Sequence, residues 1–289
     1  MKIDRFYFSC VLTVKMRPFT LDIAYVIIIK NNQGPYIMIE RTIIFLSLII
    51  LLFSTAYSND TEWLQKKGQL IFHDAFEREE KGNLAEAIGN GWNSATANRV
   101  PNIKMADLDN GILKINSATE AAGHAVHIHH DAEFKNGGVT IRFKFPDLNK
   151  SNFTIGFVDR KTANSHAGHL CYAFFSKNNI LLRDHLTGVS NPEIMKIRNP
   201  YLKRKERLPK ELTDLLNTKK ISIPWRADGQ WHTATLVTKG DEMRLSIDGK
   251  LIVKHRSEGY AHPCKRWFSL STSDTVWIDD VKIWRVTLN

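Results

Sequence analysis

Residues 231–253 constrain the fold more than any other stretch of this chain. Trp231 to Val237 is dense in β-branched and aromatic residues, and Lys239-Gly240-Asp241 then turns the chain. Met243, Leu245 and Ile247 alternate with Arg244, Ser246 and Asp248, and Asp248-Gly249 makes a second turn before Leu251-Ile252-Val253. Successive side chains of a strand point to opposite faces, so period-two alternation broken by Gly-Asp and Asp-Gly predicts three antiparallel strands joined by hairpins. That pattern belongs to a β-sandwich.

The same signal recurs at residues 69–73, 111–115, 125–129, 138–145, 153–159, 170–175, 180–183, 266–271 and 276–286, separated by Gly, Asn, Asp and Pro. In 138–145 it is clean: Val139, Ile141, Phe143 and Phe145 against Thr140, Arg142 and Lys144. The expected fold is all-β, a two-sheet antiparallel jelly-roll β-sandwich with one short inserted helix. The helix is expected at 208–217, with Pro209 at its first position and Leu212, Leu215 and Leu216 on one side. Lys203, Arg204, Lys205, Arg207, Lys210, Lys219 and Lys220 surround it, either as a solvated linker or as a basic collar for an anionic ligand. At residues 277–281 the alternation slips by one, because Ile278 and Val281 both read as core-facing; a β-bulge at Asp279-Asp280 is expected.

The first 58 residues stand apart. Arg41, an apolar run at 43–53 and the small-residue exit Ser54-Thr-Ala-Tyr-Ser58 have the layout of a secretory signal peptide. The run is short of the roughly 20 residues that span a bilayer. The expected organisation is an unstructured upstream extension at 1–37, a signal peptide at 38–58 starting at Met38, an N-terminal linker at 59–68 and the β-sandwich at 69–289. The protein is then secreted or periplasmic, and touches membrane only through an uncleaved N-terminal segment. Forty Lys and Arg against 30 Asp and Glu give a net charge of +10. In an exported chain that excess points to anionic polysaccharide or a charged envelope rather than to nucleic acid, and plain solubility accounts for it more simply still. Beyond residue 58 the cysteines are Cys171 and Cys264, which either pair or remain buried thiols.

Several landmarks occur together: Phe72-His-Asp-Ala-Phe-Glu-Arg78, Gly89-Asn-Gly-Trp92, Asp109-Asn-Gly-Ile-Leu113, Gln230-Trp-His232, Gly240-Asp-Glu-Met-Arg244, Ile247-Asp-Gly-Lys250 and Trp277-Ile-Asp-Asp-Val-Lys-Ile-Trp284. Their order resembles the concanavalin A-like lectin/glucanase superfamily in its laminin-G-like jelly-roll branch. Within it, the chain is most similar to secreted bacterial proteins of the 3-keto-disaccharide hydrolase type. The resemblance covers roughly residues 69–286 and implies a secreted carbohydrate-active protein, a glycoside or 3-keto-disaccharide hydrolase, its partner an oligosaccharide or polysaccharide. An enzyme of this kind would be a glycoside hydrolase or lyase; a non-catalytic carbohydrate-binding module and an envelope-associated structural protein are the alternatives. The Glu-x-Asp-x-x-Glu strand of the related family 16 glycanases is absent, so the motif for two facing carboxylates is missing. No catalytic residue carries over from either group.

All eleven histidines follow residue 58. In His124-Ala-Val-His-Ile-His-His-Asp131, a strand would put Val126 and Ile128 on the core face and His127, His129 and Asp131 on the other. These three form a candidate site for a divalent metal, with His166-Ala-Gly-His169 as a further source of ligands; the alternative is ligand-facing imidazoles with no ion. The acid–base candidates are His127, His129, His166, His169 and Asp184. Arg142, Lys144, Arg183 and Tyr172 are the substrate-binding candidates, on the expectation that Arg183-Asp184 shares a concave surface with Arg142 and Lys144. Asp159-Arg160 and Arg183-Asp184-His185 make a second polar constellation, and Trp225, Trp231, Trp267 and Trp277 are candidate sugar platforms.

Overall fold

The structure, a computed structural model, describes residues 7–17, 20–31, 34–37, 59–80, 87–94, 100, 103–117 and 119–288. The chain divides into two units, Met1–Ser58 and Asn59–Asn289. In the first, β1 (Tyr7–Arg17), β2 (Thr20–Asn31) and β3 (Gly34–Ile37) form a three-stranded antiparallel sheet. The extension is therefore not unstructured as expected: Val11, Val14 and Val26-Ile-Ile-Ile29 make an extended backbone favourable. Residues 38–58, read as the signal peptide, lie outside the described residues.

The second unit is two antiparallel sheets stacked face to face. One has seven strands in the order β13 (Lys220–Pro224), β12 (Asn179–Asp184), β11 (His169–Ser176), β10 (Asn152–Val158), β17 (Lys265–Thr272), β8 (Val126–Phe134), β5 (Asn93–Ser94). The other runs β16 (Lys250–Arg256), β15 (Glu242–Ile247), β14 (His232–Lys239), β9 (Asn136–Lys144), β18 (Thr275–Val286), β7 (Ile112–Asn116), β6 (Ala106–Asp109), with β4 (Gly68–Asp74) also pairing β18. The hairpins form as read: Gly240 has φ +57° between β14 and β15, and Asp248 (φ +50°) and Gly249 (φ +78°) close β15 onto β16. Positive φ at both central residues is what a two-residue hairpin turn requires of its twist. The bulge is also where the slipped alternation placed it, with the β18–β9 register jumping between Asp279 and Lys282 and Asp280 at φ +43°.

The core fills the space between the sheets. Phe143 from the eight-stranded sheet meets Phe153 and Phe175 from the seven-stranded one, at ring separations of 4.9 and 5.3 Å, and Phe153 stacks on Phe175 at 4.5 Å. Trp225 packs on this group, 6.3 Å from Phe145 and 6.2 Å from Phe175, and so belongs to the core rim rather than to a sugar platform.

Helices depart most from expectation. Where one short helix was expected, two follow each other between β12 and β13: α2 (Pro192–Arg204) and α3 (Lys210–Thr218), after α1 (Asp60–Lys67) at the start of the unit. Asn191 caps α2 by accepting from the backbone N–H groups of Glu193 and Ile194, with Pro192 at its first turn. Pro209 is the N-cap of α3 rather than its first residue. Residues 59–68 are not a linker: Leu64 of α1 is fully buried against Val237, Trp284 and Val286. Buried Asp60 accepts from Ser246 Oγ at 2.6 Å and pairs with Arg244 at 2.7 Å.

Candidate functional site

Strand parity decides what the seven-stranded sheet shows on its outside. Val126, Ile128, Phe153, Ile155, Phe157, Ala173, Phe175, Ile180, Leu182, Phe268 and Leu270 go to the core. The residues between them face outward, and the register arranges them in rows across the sheet. One row joins His127, Ser271, Thr154 and Phe174; the next joins His129, Ser269, Gly156, Tyr172 and Arg183. A third joins Asp131, Trp267, Val158 and His169.

These rows surround a cavity of about 130 Å³ lined by His127, Thr154, His169, Tyr172, Phe174, His185 and Ser271. At about 30 Å³ per water it holds roughly four. Ser269 Oγ is 2.7 Å from Nε2 of His127, whose Nδ1 is buried without a partner. Nδ1 of His169 is hydrogen-bonded to the Tyr172 hydroxyl. His185 opens a π-helical turn, packs 4.8 Å from Tyr172 and 6.0 Å from His169, and is held through Nδ1 by Ser190 Oγ at 3.0 Å. Gly156 makes room for the phenol: a Cβ there would lie 2.3 Å from Tyr172 Cδ1.

Burial governs the charge of this cluster. It lowers His127 to about 4, with His129 adding to the effect, and His169 to about 4, with His166 and Arg160 adding. His185 is lowered well below the ordinary histidine value, and His129 is lowered as well, by burial first in both cases. Burial pushes the Tyr172 phenol upward. The cavity is thus lined at neutral pH by uncharged imidazoles and a protonated phenol. Beside it the charge is positive: Arg183 lies over the Phe174 ring at 5.4 Å, Lys220 is its cross-strand neighbour, and Arg160 lies over Trp267 at 5.0 Å.

Of the expected acid–base residues, His127 and His169 line the cavity, and Tyr172 joins them. His129 sits one row away, stacked on Trp267 at 4.3 Å. His166 is 6.4 Å from His169 but lines a separate cavity of about 410 Å³ with Ser165, Pro192, Met195 and Asn199. Asp184 is excluded. It is fully buried, and its carboxylate accepts from Thr187 N (3.0 Å) and Oγ1 (2.5 Å), Ser257 Oγ (2.5 Å) and Gly259 N (3.0 Å). Its role is to anchor the turn that carries His185, the residue that does reach the cavity. The parity of Ile180, Leu182 and Asp184 was the available signal that Asp184 turns inward.

Arg142 and Lys144 do not share this surface. They sit on β9 of the other sheet and point away from the core, Arg142 paired with Asp279 at 2.8 Å and lying over Trp231 at 4.7 Å, and Lys144 lying over Trp277 at 5.5 Å. Trp231 and Trp277 are therefore on the opposite side of the sandwich from His127. Asp159 belongs to a corner with His262 and Arg266, each at 3.0 Å, and its carboxyl is lowered by them against the opposing effect of burial. Among the described residues no group of three His, Cys, Asp or Glu side chains is arranged to hold a metal ion, and His127, His129 and Asp131 do not form one. Cys171 and Cys264 are both free thiols. Thr154, Phe174 and Ser271 are the lining residues that sequence reasoning did not select, and His185 was placed in a polar constellation without being given a role.

No family model and no curated protein matches the chain. Solved structures do. The laminarinase from Rhodothermus marinus superposes with a TM-score of 0.50 at 13% identity, over 76% of this chain and 98% of that one. A laminarinase from Flavobacterium sp. UMI-01 gives 0.48 at 13% identity, over 75% and 100% of the two chains. The endo-beta-1,3-glucanase from Pyrococcus furiosus gives 0.47 at 14%, over 77% and 96%. At such identities the likeness is one of fold, a two-sheet jelly-roll β-sandwich.

Proposed function

We propose that this chain is an exported carbohydrate-active enzyme that cleaves a glycan on the outer face of its seven-stranded sheet, either an ordinary glycoside or a 3-keto-disaccharide. The observation that carries the reading is the meeting of His127, His169, His185 and Tyr172 on one cavity of about 130 Å³. A fold shared with a laminarinase supports a sugar as the ligand.

The chemistry follows from what lines the cavity. The one carboxylate in the outer rows is Asp131, at the edge beside Trp267. Two carboxylates about 5 Å or more apart, the usual glycosidase equipment, have no counterpart among these described residues. The His169–Tyr172 pair takes their place. With Nδ1–H donated to the Tyr172 oxygen, Nε2 of His169 keeps a free lone pair as general base, and the phenol O–H is free to protonate a departing oxygen. A neutral imidazole is a weak base, so it serves best where a carbonyl already acidifies the carbon to be deprotonated, as the ketone of a 3-keto sugar does.

Incubation of the full chain with 3-keto-glucosides and plant and algal glycans is expected to release new reducing ends. Tyr172→Phe, which leaves the ring and removes the donor, is expected to lower that rate about 100-fold. No release by the folded wild type across the panel would overturn the reading. The missing carboxylate pair favours one alternative, a non-catalytic binding module, for which the same panel would show saturable binding without cleavage.

A further inference from the structure

We infer that the glycan is acidic: the site takes a uronate residue, holds its carboxylate on Arg183, and cuts the bond at its C4 oxygen by β-elimination rather than by hydrolysis. The inference rests on the cleavage reading above and narrows it.

The positive end of the face is the first ground. Arg183 is cross-strand to Tyr172 and to Lys220, and it lies over Phe174, which lines the cavity. Its Nε is buried without a hydrogen-bond partner. Arg198, held by the Val189 carbonyl at 2.7 Å, is close enough that its charge acts on both Arg183 and His185. Among the described residues Arg183 forms no ion pair, and the nearest acid in its own strand, Asp184, is turned into the core and spent on four donors. A partly buried guanidinium crowded by like charge is costly to keep unless an anion visits it. A planar carboxylate matches its fork of donors.

The second ground is the reaction that the remaining groups permit. Elimination needs a base for the C5 proton, a cation for the carboxylate that takes up charge as that proton leaves, and an acid for the departing oxygen. His169 Nε2, Arg183 and the Tyr172 hydroxyl supply these in one neighbourhood. The C5–H bond breaks and its proton goes to Nε2, while its electron pair becomes the C4–C5 double bond. The C4–O bond breaks, its pair stays on the leaving oxygen, and that oxygen takes the Tyr172 proton. The imidazolium then passes its Nδ1 proton to the phenolate along the hydrogen bond already present, and exchange with solvent restores the starting tautomer. No water, metal or oxidant is consumed. A sulfated neutral sugar would satisfy Arg183 equally but offers no acidified C–H, so the two are separable by product.

The test compares the full chain on polygalacturonate and alginate, on their carboxyl-reduced counterparts, and on a sulfated neutral galactan. The expected result is ultraviolet absorbance of a conjugated alkene from at least one uronate polymer and none from the reduced or sulfated ones. Arg183→Gln should lower kcat/KM on the uronate polymer about 100-fold, with Arg183→Lys recovering part of the loss. Those two variants must unfold at the wild-type temperature for the comparison to count. New reducing ends without alkene on any polymer would overturn the inference and leave the cleavage reading standing. No cleavage of any substrate, the 3-keto-glucosides included, would remove both.

Discussion

Because burial holds His169 and His127 at about 4 against an ordinary 6.5, both rings are neutral across the range in which unperturbed histidines change charge. The groups facing His169 act in the same direction: His166 and Arg160 oppose its protonation, and the Tyr172 hydroxyl on Nδ1 is uncharged. If Nε2 is the base, kcat/KM should hold from pH 7 down to about 5 and fall as pH drops through about 4; an acid limb near 6.5 would contradict this. Stability follows the same protons. Between pH 6.5 and about 4 the unfolded chain binds more protons at these histidines than the folded one does. Folded-state stability present above 6.5 is therefore lost as pH falls toward 4, by on the order of 3 kcal/mol for each ring in urea denaturation. His232 has the opposite sign: burial works to lower it, but Asp248 and Asp228 raise it overall, so its contribution is full below 6.5 and fades as pH climbs through the raised value. Asp184→Ala leaves Ser257, Thr187 and the Gly259 N–H without an acceptor and should cost about 3 kcal/mol in chemical denaturation. An unchanged midpoint would mean the carboxylate is not the anchor it looks to be.

At the scale of the element, Gly156 on β10 is the position on which the site's shape turns. A methyl there meets the Tyr172 ring at 2.3 Å and the Cys171 carbonyl oxygen at 2.3 Å, so both the ring and the neighbouring strand must shift. Gly156→Ala should lower the melting temperature and also reduce turnover at least tenfold by pulling the hydroxyl from His169; turnover equal to the wild type at a temperature where the variant is folded would refute that. The elements also show what local sequence carries and what it does not. The alternation of the longer strands, the two hairpin turns and the bulge at Asp279-Asp280 are signals within a few residues and were legible, whereas the short strands β5, β6 and β13 were not read. The start of α2 carries a readable Asn191-Pro192 signature, but Pro200 inside it and the basic residues after it masked the helix. The site was only half legible, because His127 and Ser269 come from strands 142 positions apart in sequence. Register alone puts them together. Arg142 and Lys144 were misplaced for the same reason, since alternation says that a residue leaves the core but not on which side of the sandwich.

The whole unit is a sandwich whose stability comes from the aromatic layer between sheets and whose proposed site lies on one outside face. Phe153→Ala, at the centre of that layer, should cost about 4 kcal/mol and preserve a single cooperative transition. A chain beginning at Asn59 should melt in the same single transition, because α1 closes the unit through Leu64 and Asp60. Two melting steps would contradict that assignment. The two outside faces offer different surfaces: imidazoles, a phenol and Arg183 on the seven-stranded sheet, and Trp231 and Trp277 under Arg142 and Lys144 on the eight-stranded one. The decisive measurement is a crystal structure of the Tyr172→Phe chain soaked with the oligosaccharide that the wild type cleaves fastest. Sugar density reaching into the cavity between His127, His169 and residue 172 is the expected result. Sugar bound over Trp231 and Trp277, with the cavity side bare, would contradict the account.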